Sequence, residues 1–272
     1  MQVACQIDMS RYMDQPREVS VETFTRCNAA CTFCPYTTLD RLGDKMPWSL
    51  IDKLIEEMSD WEVAFFFCPF KVNEPLLDKR IFDICKKATD RTLAVIRLFS
   101  NGSTLSLRNI QRIAEIDRMP QLNISLNEYR PDKYKSLMNL DFEHTAKNID
   151  VLHNTDVPYQ VVLSTVGFPN EDFRRYCFDR WPKFDSVALR DGGWLGFSDV
   201  SYEIPDTNCG RWWELSIMAN GIASLCCMDG EGKYGMGDTN NETLLEIYAK
   251  YRHWREGMSR KDAGDPCNRC WN

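Results

Sequence analysis

The sequence predicts an α/β protein in which parallel strands alternate with helices, followed by a smaller cysteine-rich segment. Six strand-sized apolar segments alternate with amphipathic helical segments over roughly 170 residues. The composition then changes after Gly192, where Gly, Trp and Asp become frequent. The chain has 272 residues and is 43% hydrophobic, which is enough for one large core with a small appendage.

The strands are predicted where β-branched and aromatic residues cluster between turn signals. The predicted strands are 19–25, 63–67, 93–99, 121–126, 159–166 and 186–189. Apolar side chains at helical spacing predict the helices 47–58, 77–89, 107–116, 132–138, 142–153 and 172–178. Six units are too few for a closed eight-stranded barrel, so a partial barrel or an open doubly wound sheet remains. In both folds, functional residues lie at the C-terminal ends of the strands.

We expect a first domain over residues 1–192 and a second over 193–272. The second contains a predicted hairpin, 214–218 and 222–225, around the turn signal Asn220-Gly221. A predicted helix over 243–256 follows the hairpin.

Charge and histidine content exclude several classes of function. The net charge is -7, from 33 basic and 40 acidic residues, which is a poor match for a nucleic-acid backbone. No apolar run is long enough to span a membrane, and residues 1–17 lack the apolar stretch of an export signal, so we expect a cytoplasmic protein. The three histidines lie far apart in sequence, which leaves serine-hydrolase and Cys–His protease chemistry without a general base.

Three of the 12 cysteines follow the first predicted strand with the spacing C-x3-C-x2-C. They are Cys27, Cys31 and Cys34. Thiolates at this spacing can converge on one iron–sulfur cube, which normally takes four thiolates, so one iron stays open to a ligand. A zinc knuckle, or a structural cluster completed by a distant cysteine, is the alternative.

A three-cysteine loop at the end of the first strand of a six-fold β/α series resembles the radical S-adenosylmethionine (radical SAM) superfamily. The resemblance includes Phe33, just before the third cysteine, which that family places against the adenine of SAM. It implies a partial (β/α)6 TIM-like barrel with a [4Fe–4S] cluster whose open iron binds SAM. It further implies cleavage of SAM to a 5′-deoxyadenosyl radical, which abstracts a hydrogen atom from the substrate.

Polar residues at the ends of later strands fit the same resemblance. Asn73 and Glu74 open a segment similar to the family's Gly-Glu-Pro-Leu element, with Asn in place of Gly, and Glu74 would accept hydrogen bonds from the SAM amino group. The resemblance also implies SAM contacts from Ser100, Ser125 and Asn127. Each of these three is equally typical of a strand-end cap or turn.

A second group of four cysteines has the pattern C…G-x4-C…C-x2-C, in which Gly221 selects Cys226 rather than Cys227. The four are Cys209, Cys226, Cys267 and Cys270. Taken alone, four thiolates are as typical of zinc as of an iron–sulfur cluster. Beside a radical SAM core, the segment resembles SPASM/twitch auxiliary-cluster domains. Because the sequence ends two residues after Cys270, the resemblance implies the twitch type, with one auxiliary [4Fe–4S] cluster.

The five remaining cysteines, at positions 5, 68, 85, 177 and 227, are expected to be free thiols, mostly in apolar stretches. Cys68, at the end of the second strand, and Arg190, after the sixth, are the candidate catalytic residues. The expected partners are a small-molecule or peptide substrate and an external one-electron donor such as flavodoxin or ferredoxin.

A cluster held by four protein thiolates cannot bind substrate, so we expect the second one to accept an electron. The predicted function is dehydrogenation of a small molecule, as in the twitch-type dehydrogenases of aminocyclitol antibiotic pathways. Three alternatives stay open: a SPASM-type peptide-modifying maturase, a redox-neutral epimerase or mutase with a structural C-terminal metal, and a non-enzymatic metal protein.

Overall fold

A computed structural model of the protein describes residues 8–167, 170–198 and 202–271. Within these ranges the chain forms one nine-stranded sheet. Its strands are β1 (Glu18–Val21), β2 (Phe65–Cys68), β3 (Ala94–Ser100), β4 (Gln121–Ser125), β5 (Gln160–Val166), β6 (Asp185–Leu189), β7 (Glu214–Ile217), β8 (Ile222–Ser224) and β9 (Gly235–Asp238). The helices are α1 (Trp48–Ser59), α2 (Ile81–Arg91), α3 (Leu107–Ala114), α4 (Pro131–Met138), α5 (Phe142–His153), α6 (Glu171–Arg180), α7 (Leu244–Ala249) and α8 (Arg252–Arg255).

The strand order confirms the predicted α/β fold. The order across the sheet is β6-β5-β4-β3-β2-β1-β7-β8-β9, and β1 to β6 are parallel to their neighbours. In the described part of the chain the two end strands do not pair with each other, so the barrel is partial. Each of the six predicted strands overlaps an observed one, and the bounds differ by a few residues.

The core lies between the sheet and its helices because side chains alternate along each strand. In β3 the alternate residues Ala94, Ile96 and Leu98 are fully buried, whereas Arg97 and Phe99 on the other face are half-buried. Full burial of an Ile or Leu side chain stabilises the fold by about 1.5–3 kcal/mol. The opposite face of the strands is left to line the barrel interior.

The C-terminal segment extends this sheet. β7 pairs in parallel with β1, with Glu18 beside Glu214, and β7, β8 and β9 then form an antiparallel meander. The hairpin prediction is confirmed, but β9 was missed because Gly is unfavourable in strands. The helix predicted over 243–256 is interrupted between α7 and α8. The division at residue 192 stays a prediction, and strands from both sides of it share one sheet.

No helix in the described ranges has the length and apolar character that a membrane crossing requires. Cys85 and Cys177 are buried free thiols, as expected, and Cys227 is half-buried. Cys5 lies outside the described residues.

Candidate functional site

The first cysteine motif lies in the loop that connects β1 to α1, at the C-terminal edge of the sheet. All three thiols, Cys27, Cys31 and Cys34, are half-buried. The backbone N–H groups of Ala30 and Thr32 each donate a hydrogen bond of 2.9 Å to carbonyls at the C-terminal end of α4, those of Met138 and Leu137. The loop is therefore held against the barrel by its backbone, which leaves its cysteine side chains available for a ligand.

Burial opposes ionisation of these thiols. It raises the pKa of Cys27 to about 12 and that of Cys34 to about 11. It also raises the pKa of Cys31, and the neighbouring Cys34 and Cys27 add to that shift. Neighbouring thiolates that are partly removed from water need a cationic partner, and the iron of an iron–sulfur cluster is one. The donor chemistry fits such a cluster.

Across the described residues, no group of three or more His, Cys, Asp or Glu side chains is arranged to hold a metal ion as it stands. The assignment of individual cysteines as ligands therefore stays a prediction.

A hydrogen-bonded group of polar residues joins the first motif to the end of β3. Asn101 Nδ2 donates to Asn28 Oδ1 at 2.9 Å and lies 4.0 Å from Cys27 Sγ. Asn28 Nδ2 donates to Ser103 Oγ at 2.7 Å, and the Ala29 N–H lies 3.4 Å from Cys27 Sγ. Hydrogen bonds to ligand sulfur tune iron–sulfur clusters. Asn28 and Asn101 were not predicted as site residues, and the Ser-Asn-Gly turn after β3 was the only signal for Asn101.

Glu74 joins the segment after β2 to the end of β3. Its carboxylate accepts hydrogen bonds from Ser100 Oγ at 2.9 Å, the Asn101 N–H at 2.7 Å and the Leu76 N–H at 3.2 Å. Its own N–H donates to the Arg26 carbonyl, next to the first cysteine. Burial raises the pKa of Glu74 to about 7, against the effect of the three hydrogen bonds. The structure thus brings Glu74 and Ser100 together beside the cysteine loop.

Asn73 and Phe33 lie on the two loops that border this site. Asn73 Oδ1 accepts a 2.9 Å hydrogen bond from the Lys71 N–H, and its Nδ2 is a buried donor without a partner in the described structure. Phe33 is half-buried directly before Cys34. Both positions are compatible with the SAM contacts expected of them, which stay predictions.

Ser125 and Asn127 lie at the end of β4, and Asn127 has a structural role there. It has a left-handed backbone (φ 63°), and its Oδ1 accepts a 3.1 Å hydrogen bond from the Val166 N–H. Its N–H donates to the Ser164 carbonyl, so the residue ties β4 to β5. Ser125 is half-buried at the last position of β4. These contacts support the strand-end cap that was the alternative for Asn127.

The two candidate catalytic residues lie in different environments, one buried and one exposed. Cys68 is only 2% exposed, its thiol donates a hydrogen bond to the Glu18 carboxylate, and burial raises the pKa of the thiol well above the usual value. A buried, protonated thiol is not a reactive nucleophile. Arg190 is exposed, and its guanidinium stacks 4.1 Å from the centre of the Tyr202 ring. The burial of Cys68 favours a packing role, and the catalytic roles of Cys68 and Arg190 stay predictions.

The second cysteine group surrounds one cavity in the C-terminal segment. All four predicted ligands, Cys209, Cys226, Cys267 and Cys270, line it. Residues from three separate stretches of sequence therefore converge on this cavity, and their role as ligands stays a prediction. The adjacent Cys227 is subject to the charges of Arg211 and Glu214, and burial raises its pKa to about 11.

Burial also opposes ionisation of the Cys209, Cys226 and Cys267 thiols in this cavity. It raises the pKa of Cys267 to about 11 and that of Cys226 well above the usual value. The Trp212 side chain hydrogen-bonds to Cys267, and the positive charge of Arg260 acts on Cys209. Three buried sulfur donors and the half-buried Cys270, with a nearby cation, fit an anionic iron–sulfur cluster held by four thiolates.

Solved structures with the same fold include three that bind SAM or a peptide. BtrN in complex with AdoMet and 2-DOIA superposes with a TM-score of 0.63 at 18% identity, covering 94% of this chain and 93% of its own. Streptococcus suis SuiB bound to the precursor peptide SuiA superposes with a TM-score of 0.68 at 11% identity, covering 96% of this chain and 71% of its own. anSMEcpe with bound AdoMet superposes with a TM-score of 0.63 at 11% identity, covering 92% of this chain and 88% of its own. At these identities the likeness shows the fold.

Family models match both parts of the chain, although no curated protein does. Residues 21–176, more than half of the chain, match the radical SAM superfamily, and residues 209–271 match SPASM, an iron–sulfur cluster-binding domain. The first domain implies a [4Fe–4S] cluster and SAM, and the second implies an auxiliary iron–sulfur cluster. The chain therefore belongs to the radical SAM superfamily and carries a C-terminal SPASM domain.

Proposed function

We propose that this radical SAM enzyme is an oxidoreductase that removes two electrons from a small-molecule substrate. The observation that carries the proposal is the convergence of four thiols on one C-terminal cavity. A cluster held at all four positions by protein has no open iron for a substrate, so electron transfer is the chemistry left to it. The acceptor for the second electron would then be bound within the same chain.

In this proposal Cys27, Cys31 and Cys34 hold the first cluster, and Phe33, Asn73, Glu74 and Ser100 contact SAM. When bound, that cluster and SAM supply a 5′-deoxyadenosyl radical, at the expense of one electron from an external donor such as flavodoxin or ferredoxin. The substrate gives up one hydrogen atom to that radical, then one proton to solvent and one electron to the C-terminal site. The substrate is oxidised by two electrons in total.

Peptide modification is the second candidate. SuiB bound to its precursor peptide superposes on this chain with a TM-score of 0.68, and a structure of anSMEcpe contains AdoMet and the Cp18Cys peptide. The small-molecule candidate is supported by the likeness to BtrN in complex with AdoMet and 2-DOIA, which has 18% identity to this chain, against 11% for SuiB bound to SuiA.

The experiment compares product and SAM cleavage in matched cysteine variants. Wild type, Cys209→Ala, Cys27→Ala and the control Cys85→Ala are reconstituted anaerobically and given dithionite, SAM and a panel of alcohols and peptides. Mass spectrometry follows 5′-deoxyadenosine and any substrate that loses two hydrogens. The control is the buried free thiol of α2, which lies away from both cysteine groups.

We expect wild type and Cys85→Ala to form both products. Cys209→Ala is expected to cleave SAM without oxidising substrate, and Cys27→Ala to do neither. Oxidised product from Cys209→Ala at the wild-type yield would rule out the electron-acceptor role. A product of unchanged mass from wild type would favour the redox-neutral alternative.

A further inference from the structure

Lys71 is a buried lysine that connects the radical SAM core to the C-terminal cysteine group. It lies on the loop after β2 and is 8% exposed. Its Nζ donates hydrogen bonds to Ser216 Oγ at 2.9 Å, Ser224 Oγ at 2.6 Å and the Cys226 carbonyl at 3.0 Å. An ammonium group has three protons, and all three find acceptors on the C-terminal strands and the turn that follows them.

The serine geometry fits an ammonium donor. Ser224 Oγ donates its own proton to a carbonyl, that of Ser216 or Cys226, each at 3.2 Å. The lone pairs of that hydroxyl are therefore left to accept from Lys71. Burial of such a charge is costly unless hydrogen bonds and opposite charges compensate for it.

Acidic groups close to Lys71 supply the opposite charge. Burial lowers the pKa of Lys71, and the charges of Glu22 and Asp229 act against that shift, as would the thiolates of Cys226 and Cys227. A second cation binds the same region, because Arg41 pairs with Glu22 and donates to the Gly230 carbonyl, four residues beyond Cys226. Two basic residues of the core therefore hold the segment that carries the Cys226 thiol.

We propose that Lys71 is a positioning residue for the auxiliary cluster: it fixes the Cys226 segment and places a positive charge beside that ligand. Reduction adds one negative charge to a cluster, so a nearby cation favours the reduced form. Loss of the charge makes the reduction potential of the auxiliary cluster more negative. The inference rests on the proposed role of Cys226 as a ligand but not on the identity of the substrate.

The test is an EPR-monitored redox titration of the reconstituted holoenzyme. Lys71→Met removes the charge at similar side-chain length, and Lys147→Met, at an exposed position on α5, is the matched control. We expect Lys71→Met to lower the reduction equilibrium constant of the auxiliary cluster at least tenfold, which is 59 mV for a one-electron couple. The first cluster, and both clusters of Lys147→Met, keep the wild-type potentials.

An unshifted auxiliary potential in Lys71→Met with full iron content overturns the inference and leaves the proposed function standing. A single cluster signal in wild type overturns both. If Lys71→Met does not fold or load iron, Lys71→Gln decides, because it removes the charge and keeps a hydrogen-bond donor at this position. A wild-type potential for the auxiliary cluster in Lys71→Gln then contradicts the role of Lys71, and a more negative potential supports it.

Discussion

At the scale of single residues, burial and hydrogen bonding act in opposite directions on the Glu74 carboxyl group. Three donors stabilise its charged form, but its side chain is almost inaccessible to water and burial raises its pKa from 4.5 to about 7. Between pH 4.5 and about 7 the Glu74 carboxyl is therefore protonated in the folded protein, whereas it has already lost its proton in the unfolded chain.

The consequence is a pH-dependent stability that the variant Glu74→Gln lacks. As pH rises from 4.5 to about 7, the Glu74 contribution lowers the free energy of unfolding of the metal-free protein by up to about 3 kcal/mol, and above that pH the loss is complete. Urea unfolding under reducing conditions at several pH values measures it. We expect the stability difference to move in favour of Glu74→Gln across this window and then to level off.

The exposed Glu115 provides the control. Glu115→Gln should follow the wild-type pH profile. If the free energies of unfolding of wild type and Glu74→Gln change with pH in parallel, the Glu74 carboxyl has an ordinary pKa in the folded protein.

Asn127 combines a left-handed backbone with a side chain that holds β5. We expect Asn127→Ala to lower the free energy of unfolding by about 2–4 kcal/mol, because it loses a buried hydrogen bond and keeps an unfavourable φ. Asn127→Gly loses the same bond without the backbone strain, so it should be about 1 kcal/mol less destabilised. Urea unfolding of the two variants measures the difference, and equal losses would mean that the backbone conformation carries no cost.

Some site residues could be predicted from the sequence and others could not. The seven cysteines predicted as ligands have a characteristic spacing; three of them share the loop after β1, and the other four line one C-terminal cavity. Nothing in the sequence marked Lys71 as a site residue, because its acceptors Ser216 and Ser224 lie about 150 residues further along the chain and lysines are rarely buried. Asn127 was visible as a strand-end polar residue, but its side-chain partner on β5 is set only by the tertiary fold.

At the scale of elements, apolar periodicity predicted the six parallel strands, and its failures have local causes. β9 contains two glycines in four residues, so neither propensity nor alternation marks it as a strand. The pairing of β7 with β1 joins segments almost 200 residues apart, which periodicity cannot show.

That pairing predicts how the C-terminal segment behaves when its metal is removed. β7 is held by hydrogen bonds to β1 and by the buried side chains of Leu215 and Ile217, so its protection from hydrogen exchange should survive. The segments around Cys226 and 257–271, which depend on the cluster for cross-linking, should exchange faster. Hydrogen-exchange mass spectrometry with and without iron tests this.

Equal loss of protection in β7 and in the cysteine segments would mean that the whole C-terminal part folds only around its metal. The helix α5 serves as the internal reference, because it lies in the barrel and should be unaffected.

At the scale of the whole molecule, one sheet carries both cysteine groups. β1 is followed directly by the first motif, and its neighbour β7 begins the meander that leads to Cys226. A continuous sheet is a rigid connection, so the relative position of the two metal sites is set by backbone pairing. Lys71 and Arg41 add contacts between the core and the C-terminal segment at the same end of these strands.

The proposed oxidation requires two separate iron–sulfur clusters held by two separate sets of thiols. The most direct measurement is iron, sulfide and zinc per chain after anaerobic reconstitution of wild type, the triple variant Cys27→Ala/Cys31→Ala/Cys34→Ala and the double variant Cys209→Ala/Cys270→Ala. If both clusters are of the four-iron type, we expect about eight iron and eight sulfide in wild type, about four of each in either variant, and no zinc. About four iron with one zinc in wild type, and loss of the zinc in the double variant, would contradict a second iron–sulfur cluster and make the C-terminal site structural.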